Sequence, residues 1–253
     1  MGDSIGVGKT LGYEEETATL GPRIEKGDES YWLASYHPFV EVPKVAGPDI
    51  EHPSPADRRT CRSLHPDLVE LTGDADNGAR FSLGKLVKAS GIDLKTTRIT
   101  RDPFWTEKEE APPEIVMDWC LISSTGSGAN YLRATSTGDG PQIRRRPVVS
   151  VAHIKPGAVV VASGRTSGLQ RGRIGEWPMH IDHGDGTAPT KEWFIEQVDQ
   201  DEDDNEWIMG GIGVQGDSGA AIVDAETSVL YGQLWGGTKT MAPDPVSRIS
   251  PYP

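Results

Sequence analysis

The chain has 253 residues, of which 36% are hydrophobic, so it is long enough to bury a full core. Its formal net charge is −13 and its pI is near 4.9. This acidity argues against nucleic acid as a partner, because phosphate contacts require clustered Lys and Arg. No segment of the sequence approaches the ~20 consecutive apolar residues that cross a bilayer, so no membrane partner is expected.

The cysteines bear on the cellular compartment. Secreted domains often carry several disulfides, whereas this chain has only Cys61 and Cys120. No apolar run of signal-peptide length follows the first residue. We therefore expect a cytoplasmic protein, with Cys120 in a buried strand and Cys61 in a loop.

Short β-branched and aromatic runs, separated by 30 Gly and 19 Pro, predict an all-β chain that forms barrels. The first motif, residues 6–10, is not a phosphate-binding loop, because Asp3 stands where that loop needs a glycine. Residues 17–39 predict a hairpin with a polar turn at residues 26–29 and with His37 at the end of its second strand. A histidine at a strand end can face a cleft, which suits a catalytic base.

A long segment, residues 41–112, separates His37 from the next motif and predicts a loop-rich insertion. Within it, residues 81–91 predict a strand with its turn. His52 and His65 lie in Pro-rich parts of the insertion and are alternative bases. The insertion is a candidate for substrate selection or partner docking, and the alternative is that it has no function of its own.

Residues 114–122 predict an apolar strand that contains Asp118. An ionised carboxylate in such a strand costs free energy unless it is hydrogen-bonded. A catalytic histidine would satisfy this carboxylate. The alternative is that Asp118 starts the strand at its solvated end.

The three arginines at residues 144–146 predict a solvated linker, followed by a strand at residues 147–151. His153 is expected to be a structural histidine at a strand end. His180 and His183 have a spacing that metal ligands also show, but no third ligand besides turn aspartates is nearby. A loop is therefore predicted there, and no metal is expected.

Ser218 lies in a glycine-rich stretch that leads directly into a β-branched run. Gly216 and Gly219 permit backbone dihedrals that other residues resist. The turn can therefore direct the N–H groups of Gly216 and Ser218 at one point, where an oxyanion would lie. The alternative is a glycine-rich hairpin with ordinary turn chemistry.

A serine hydroxyl becomes a good nucleophile when a histidine takes its proton and a carboxylate orients that histidine. The order His37, Asp118, Ser218 resembles that of the chymotrypsin-like (trypsin-fold) serine peptidases, and the resemblance extends over most of the chain. Residues 163–174 are similar to the hairpin that opens the second barrel in streptogrisin-type members. Residues 19–22 look like the early strand that precedes the histidine hairpin.

The resemblance implies two six-stranded antiparallel β-barrels with a long insertion in the first. Residues 1–140 would form the barrel that carries the base and the acid, and residues 141–253 the barrel that carries the nucleophile. It also implies a serine endopeptidase that works through an acyl-enzyme. Ser218 would attack, His37 would transfer the proton, Asp118 would orient His37, and the N–H groups of Gly216 and Ser218 would bind the oxyanion. The substrate would be a polypeptide, and no cofactor is expected.

In the resembled family, the residue six positions before the nucleophile lies at the base of the specificity pocket, and here it is Ile212. Because Ile212 is apolar, we expect a small or apolar side chain before the scissile bond. Leu234, Trp235 and Gly236 fall where the family has its substrate-binding strand. A regulatory protein or fused domains are further candidate partners.

Two other interpretations stay open. His37 stands between Tyr36 and Pro38, whereas the family pattern is a small residue, Ala, His and Cys. This departure favours a catalytically inactive trypsin-fold module that binds a partner. Alternatively, the chain is an unrelated β-rich interaction protein in which the glycine-rich stretch is only a turn.

Overall fold

The structure, a computed structural model, describes residues 1–8, 16–40, 47–65, 81–91, 95–97, 114–124, 126, 129–133, 146–184, 186, 188–197, 212–237 and 247–251. Its elements are sixteen strands, one α-helix and a short 3-10 turn at His37–Phe39. In chain order they are β1 (Ser4–Val7), β2 (Thr17–Thr19), β3 (Arg23–Lys26), β4 (Glu29–Ala34), β5 (Asp49–Glu51), α1 (Pro55–Leu64), β6 (Ser82–Ala89), β7 (Lys95–Thr97), β8 (Glu114–Val116), β9 (Cys120–Ser123), β10 (Val159–Gly164), β11 (Gly168–Ile174), β12 (Met179–Ile181), β13 (Thr190–Gln197), β14 (Ala221–Asp224), β15 (Leu230–Gly237) and β16 (Ser247–Pro251).

The first sheet curls into a barrel because one bent segment belongs to both of its edges. Its strand order is β2-β1-β5-β6-β9-β4-β3, and all these pairings are antiparallel. Leu20 exchanges backbone hydrogen bonds with the chain before β1, while the residues just after it, Gly21 and Pro22, bond to Leu33 of β4. Strands β2 and β3 therefore act as one bent strand, which closes a six-stranded barrel.

The second barrel closes through direct strand pairing. Strands β11, β10, β14, β15, β16 and β13 follow one another in antiparallel pairs, and β13 pairs in turn with β11. Strand β12 and the pair β7–β8 attach to β13 from outside this ring. The predicted pair of six-stranded antiparallel barrels is thus confirmed, with one short helix added.

Each barrel has its own apolar core, which follows from the alternation of buried and exposed side chains along the strands. Ile5, Ile50 and Ile122 are fully buried in the first. Trp193 and Ile222 are fully buried in the second. Burial of such side chains contributes roughly 1.5–3 kcal/mol each. A third, smaller apolar cluster combines Met1, which precedes β1, with Val161 and Val223 of the second barrel. The candidate site lies between the two barrels.

Helix α1 was not predicted, because its sequence was interpreted as a Pro-rich loop. Ser54 caps the helix by accepting a hydrogen bond from the Asp57 N–H at 3.1 Å, and Pro55 occupies the first turn. Ser-Pro at a helix start is a recognisable signal, since proline needs no donor there. Cys61 consequently lies exposed on this helix rather than in a loop, while Cys120 is buried in β9 as expected, and both thiols are free. No helix in the described residues is long and apolar enough to cross a bilayer.

The segment 41–112, predicted as a loop-rich insertion, contributes two strands to the first barrel. Within it, β5 pairs with β1, and β6 joins β5 to β9, so both are barrel strands. The strand predicted at residues 81–91 is thus present. Residues 41–46, 66–80, 92–94 and 98–112 of this segment lie outside the described residues.

Two strand predictions were wrong in detail. Residues 114–122 form two strands rather than one. Strand β8 pairs with β13 of the second barrel, whereas β9 pairs inside the first. Asp118 therefore lies in the link between them. Residues 147–151 make only isolated bridges at Val148 and Val151. The predicted boundary near residue 140 lies outside the described residues.

An ion pair connects α1 of the first half to the hairpin between β10 and β11. Two guanidinium nitrogens of Arg165 donate to the two carboxylate oxygens of Asp57, with Nε at 2.8 Å from Oδ2. Partial burial acts to raise the pKa of Asp57, but hydrogen bonds from Arg165, Ser4 and Ser54 and the Arg165 charge outweigh it. The pKa of Asp57 is therefore held below its usual range, and the ionised form is the one that stabilises the fold.

We predict that Asp57→Asn lowers the free energy of unfolding by about 1 kcal/mol at pH 7, because the ion pair is two-pronged and partly shielded. Since the pKa is depressed in the folded state, this stabilisation is present above the unfolded value of about 4 and is lost as the pH falls through the folded value. Urea denaturation from pH 3 to pH 7 should show the two proteins converging in acid.

The matched control is Glu25→Gln, which removes a pair between Arg23 and a 70% exposed carboxylate. It should leave the free energy of unfolding unchanged. An Asp57→Asn deficit that persists undiminished at pH 3 would contradict the assignment to the ion pair.

Candidate active site

His37 and Asp118 meet where the first barrel faces the second. His37 begins the 3-10 turn after β4, and its Nδ1 lies 2.7 Å from Asp118 Oδ2. The backbone N–H groups of Tyr36 and His37 donate to Asp118 Oδ1 at 2.8 and 2.9 Å. An ionised carboxylate only accepts hydrogen bonds, so Nδ1 carries the proton and Nε2 has a free lone pair.

The side chains of Asp118 and His37 differ in how far they are exposed to solvent. Asp118 is 9% exposed, whereas the His37 side chain is 50% exposed. Three hydrogen bonds compensate the buried carboxylate, as its apolar surroundings require. The imidazole is therefore held on one side and accessible on the other.

The turn that carries Ser218 is docked onto strand β2 of the first barrel. The Thr19 N–H donates to the Ser218 carbonyl at 2.8 Å, and the Thr19 hydroxyl donates to the Gly216 carbonyl at 2.8 Å. Thr19 is fully buried, so water does not compete for these bonds. At Gly219, whose φ is +101°, a Cβ would lie only 2.2 Å from the Thr19 carbonyl oxygen, so only glycine fits this close approach.

Asp217 anchors the same turn from the other side, and no role was predicted for it from the sequence. Its carboxylate is buried and accepts backbone hydrogen bonds from Thr166 and Ser167 at 3.1 Å and from Gly213 at 3.3 Å. The sequence did contain an indication of this role, because an acid in a stretch that leads into a buried strand needs several hydrogen-bond donors. Two of the three donors, Thr166 and Ser167, belong to the hairpin between β10 and β11, which folding alone brings close.

The N–H groups of Gly216 and Ser218 are held in defined planes. A peptide group is planar, so a fixed carbonyl also fixes the N–H on its far side. The Gln215 carbonyl accepts from the Thr166 hydroxyl at 2.8 Å, and the Asp217 carbonyl accepts from the Ala220 N–H at 2.9 Å. Neither the Gly216 N–H nor the Ser218 N–H donates to another described residue. Both are therefore available to a ligand.

The chain next to Ser218 lies near the segment that leads to His37. A Cβ on Gly219 would lie 3.4 Å from the backbone nitrogen of Ser35, two residues before His37. Among the described residues, however, no hydrogen bond joins the Ser218 hydroxyl to the His37 ring. The structure thus pairs the histidine with the aspartate and docks the serine turn beside the segment that leads to His37.

The residues predicted to bind substrate differ in accessibility. Leu234 is 1% exposed and Ile212 is 9% exposed, and both pack in the core of the second barrel. The Trp235 ring lies 6.3 Å from that of His183, measured between centroids. Gly236 faces open space, because a Cβ there would meet nothing within 4 Å. Of these four residues, Trp235 and Gly236 are the partly exposed ones.

The remaining histidines are engaged elsewhere. His52 bonds through Nδ1 to the Ser4 carbonyl at 3.1 Å, and His65 ends α1. His153 is exposed in an extended segment rather than at a strand end. His180 lies in β12, and His183 Nε2 is 2.9 Å from the Thr190 hydroxyl. In the part of the chain that the structure describes, no group of three or more His, Cys, Asp or Glu side chains is arranged to hold a metal ion.

Known structures share this architecture. A glutamic acid-specific serine protease that uses a histidine triad in substrate binding matches with a TM-score of 0.54 and 14% identity, covering 99% of this chain and 91% of its own. Thermobifida fusca protease A matches with a TM-score of 0.51 and 13% identity, covering 99% and 89%. No protein-family model and no curated protein sequence matches the chain significantly. The fold is therefore the chymotrypsin-like double barrel.

We predict that Asp217→Asn lowers the free energy of unfolding by about 2–3 kcal/mol. The new amide group places an N–H₂ where a carboxylate oxygen accepted a backbone N–H, so buried donors face each other. Chemical denaturation measures the loss.

Asp182→Asn serves as the comparison, since Asp182 is exposed and, within the described part of the chain, accepts one hydrogen bond, from the Gly184 N–H at 2.9 Å. This variant should unfold like the wild type. Equal stabilities for the two variants would show that Asp217 does not anchor the turn.

Proposed function

We propose that this chain is a serine endopeptidase that hydrolyses peptide bonds through an acyl-enzyme. One observation carries the proposal. The imidazole of His37 is oriented by Asp118 and exposed on its other edge, at the same junction between barrels where the Ser218 turn is docked. Nucleophilic catalysis by serine uses a histidine that a carboxylate orients, so this pair supports the proposal. The protease activities of the two structural matches are consistent with it.

The reaction proceeds in two halves. Ser218 Oγ forms a bond to the peptide carbonyl carbon while its proton passes to His37 Nε2. The C–N bond then breaks, and the amine leaves with that proton. Water attacks the resulting ester in the second half, again through His37, and releases the acid and the free serine. Asp118 stabilises the imidazolium throughout and keeps its own charge.

The free N–H groups of Gly216 and Ser218 would stabilise the tetrahedral oxyanion. Such donors contribute roughly 3–4 kcal/mol each where one has been removed by mutation. Their planes are fixed before a substrate binds, because Thr166 and Ala220 hold the adjoining carbonyls. Little reorganisation is then needed during the reaction.

Substrate would lie along the end of β15, over the open face of Gly236 and beside Trp235. Ile212 offers no charge to pair with Lys or Arg, so the residue before the cut is expected to be small or apolar. Two free thiols among the described residues support an intracellular location.

We predict that a fluorophosphonate probe labels the wild type at Ser218 and that Ser218→Ala abolishes labelling and peptide hydrolysis while the protein stays folded. Only an activated serine reacts with such a probe. Asp118→Asn should slow the reaction by about 10⁴-fold, since His37 would lose the partner that sets its tautomer. Mass spectrometry locates the label, and circular dichroism checks the fold.

The competing function is a catalytically inactive module of the same fold that binds a partner. The missing Ser218–His37 hydrogen bond and the unusual flanks of His37, Tyr36 and Pro38, favour it. A folded wild type that takes up no label at Ser218 would establish that alternative. Labelling that survives Ser218→Ala would reject the assignment of the nucleophile.

We predict that a library of peptides will be cut mainly after small or apolar residues, because the predicted pocket base is apolar and desolvating a cationic side chain there is costly. Sequencing of the cleavage products gives the profile.

Ile212→Asp is the informative variant, since it places a carboxylate at the predicted pocket base. It should shift the profile toward Lys and Arg if Ile212 lines the pocket. A wild-type profile dominated by Lys and Arg would contradict the prediction.

A further inference from the structure

Two buried polar side chains join the barrels next to the candidate active site. Ser35 is 0% exposed and Gln233 is 3% exposed. The Gln233 Nε2 donates to the Ser35 hydroxyl at 2.9 Å, and this hydroxyl donates to the Leu234 carbonyl at 3.3 Å. Buried polar groups are costly when unpaired. The Gln233 amide, the Ser35 hydroxyl and the Leu234 carbonyl therefore favour one position of the two barrels relative to each other.

On the first barrel, this contact adjoins the histidine. Ser35 follows β4 directly and precedes Tyr36 and His37, whose N–H groups hold Asp118. The Ser35 carbonyl also accepts a hydrogen bond from the Cys120 thiol at 3.5 Å. Any shift of Ser35 is therefore transmitted to the imidazole along one short backbone segment.

On the second barrel, the contact adjoins the serine. The Leu234 carbonyl that accepts from Ser35 also accepts from the Gly219 N–H at 2.8 Å. Gly219 is bonded to Ser218. The Ser35 hydroxyl and the nucleophile turn thus share one acceptor, on the strand where the substrate is proposed to bind.

We infer that the Ser35–Gln233 hydrogen bond is a positioning bridge that holds His37 in register with Ser218. The inference rests on the proposed function, in which His37 takes the proton of Ser218. Neither side chain reaches the substrate, so both act through the two catalytic groups. A displacement of about 1 Å between reacting groups can cost 10²-fold in rate, which makes such a bridge consequential.

The test uses Ser35→Ala and Gln233→Met, which remove the hydrogen bond with little change of shape. Each should slow fluorophosphonate labelling of Ser218 about 10-fold or more, at a temperature where every variant is fully folded. On a peptide substrate, kcat should fall with little change in KM. The double variant should be as slow as the slower single variant, because both changes remove one bridge.

Matched controls lie on the same two strands. Ser30→Ala removes a hydroxyl of β4 that donates to the Ser124 carbonyl at 3.0 Å. Tyr231→Phe removes a buried hydroxyl of β15 that donates to Asp224 at 2.8 Å within the second barrel. Both should lower stability and leave the labelling rate within twofold of the wild type.

A second measurement does not depend on activity. The ring resonances of His37, followed by NMR, should shift or broaden in Ser35→Ala and Gln233→Met but not in the two controls. Absence of wild-type labelling would defeat the proposed function, and altered His37 resonances would still support the bridge. Unchanged resonances in both bridge variants, or labelling within twofold of the wild type, would overturn the bridge.

Discussion

The two hydrogen bonds that Thr19 makes to the carbonyls of Gly216 and Ser218 determine where the turn that carries Ser218 lies. Because Thr19 is fully buried between the barrels, these bonds are not exchanged for water. The turn is thereby tied to the barrel that carries His37, although its own strand belongs to the other barrel. The other contacts at the candidate site add to this docking.

Three further contacts surround the docked turn. The buried carboxylate of Asp217 draws in the hairpin between β10 and β11, and Arg165 of that hairpin reaches across to Asp57 on α1. On the far side, Ser35 meets Gln233. Polar contacts between the barrels thus surround the site, while the buried apolar residues form the two barrel cores and a third, smaller cluster that includes Met1. Polar residues from both halves can therefore meet at the junction without entering either barrel core.

Two buried carboxylates near the site accept hydrogen bonds from different kinds of donor. Asp118 accepts from two backbone N–H groups and from a histidine, whereas the donors to Asp217 among the described residues are all backbone N–H groups. A carboxylate that accepts a hydrogen bond from an exposed imidazole orients that ring, whereas a carboxylate that accepts from backbone N–H groups holds the shape of the chain. The two buried carboxylates therefore differ in what they hold, because Asp118 holds a histidine ring and Asp217 holds a turn.

The sequence by itself determined the barrel class, the hairpin before His37 and the order of His37, Asp118 and Ser218, because alternation, turn residues and motif order are local or ordinal properties. It missed α1, whose capping signal was interpreted as loop, and it placed Asp118 inside one strand. Only the tertiary structure decided that Asp118 lies in the link between strands of different barrels, that Asp217 is an anchor and that Ser35 meets Gln233. Those contacts join residues far apart in the chain, and their partners depend on how two closed barrels pack, which no local pattern encodes.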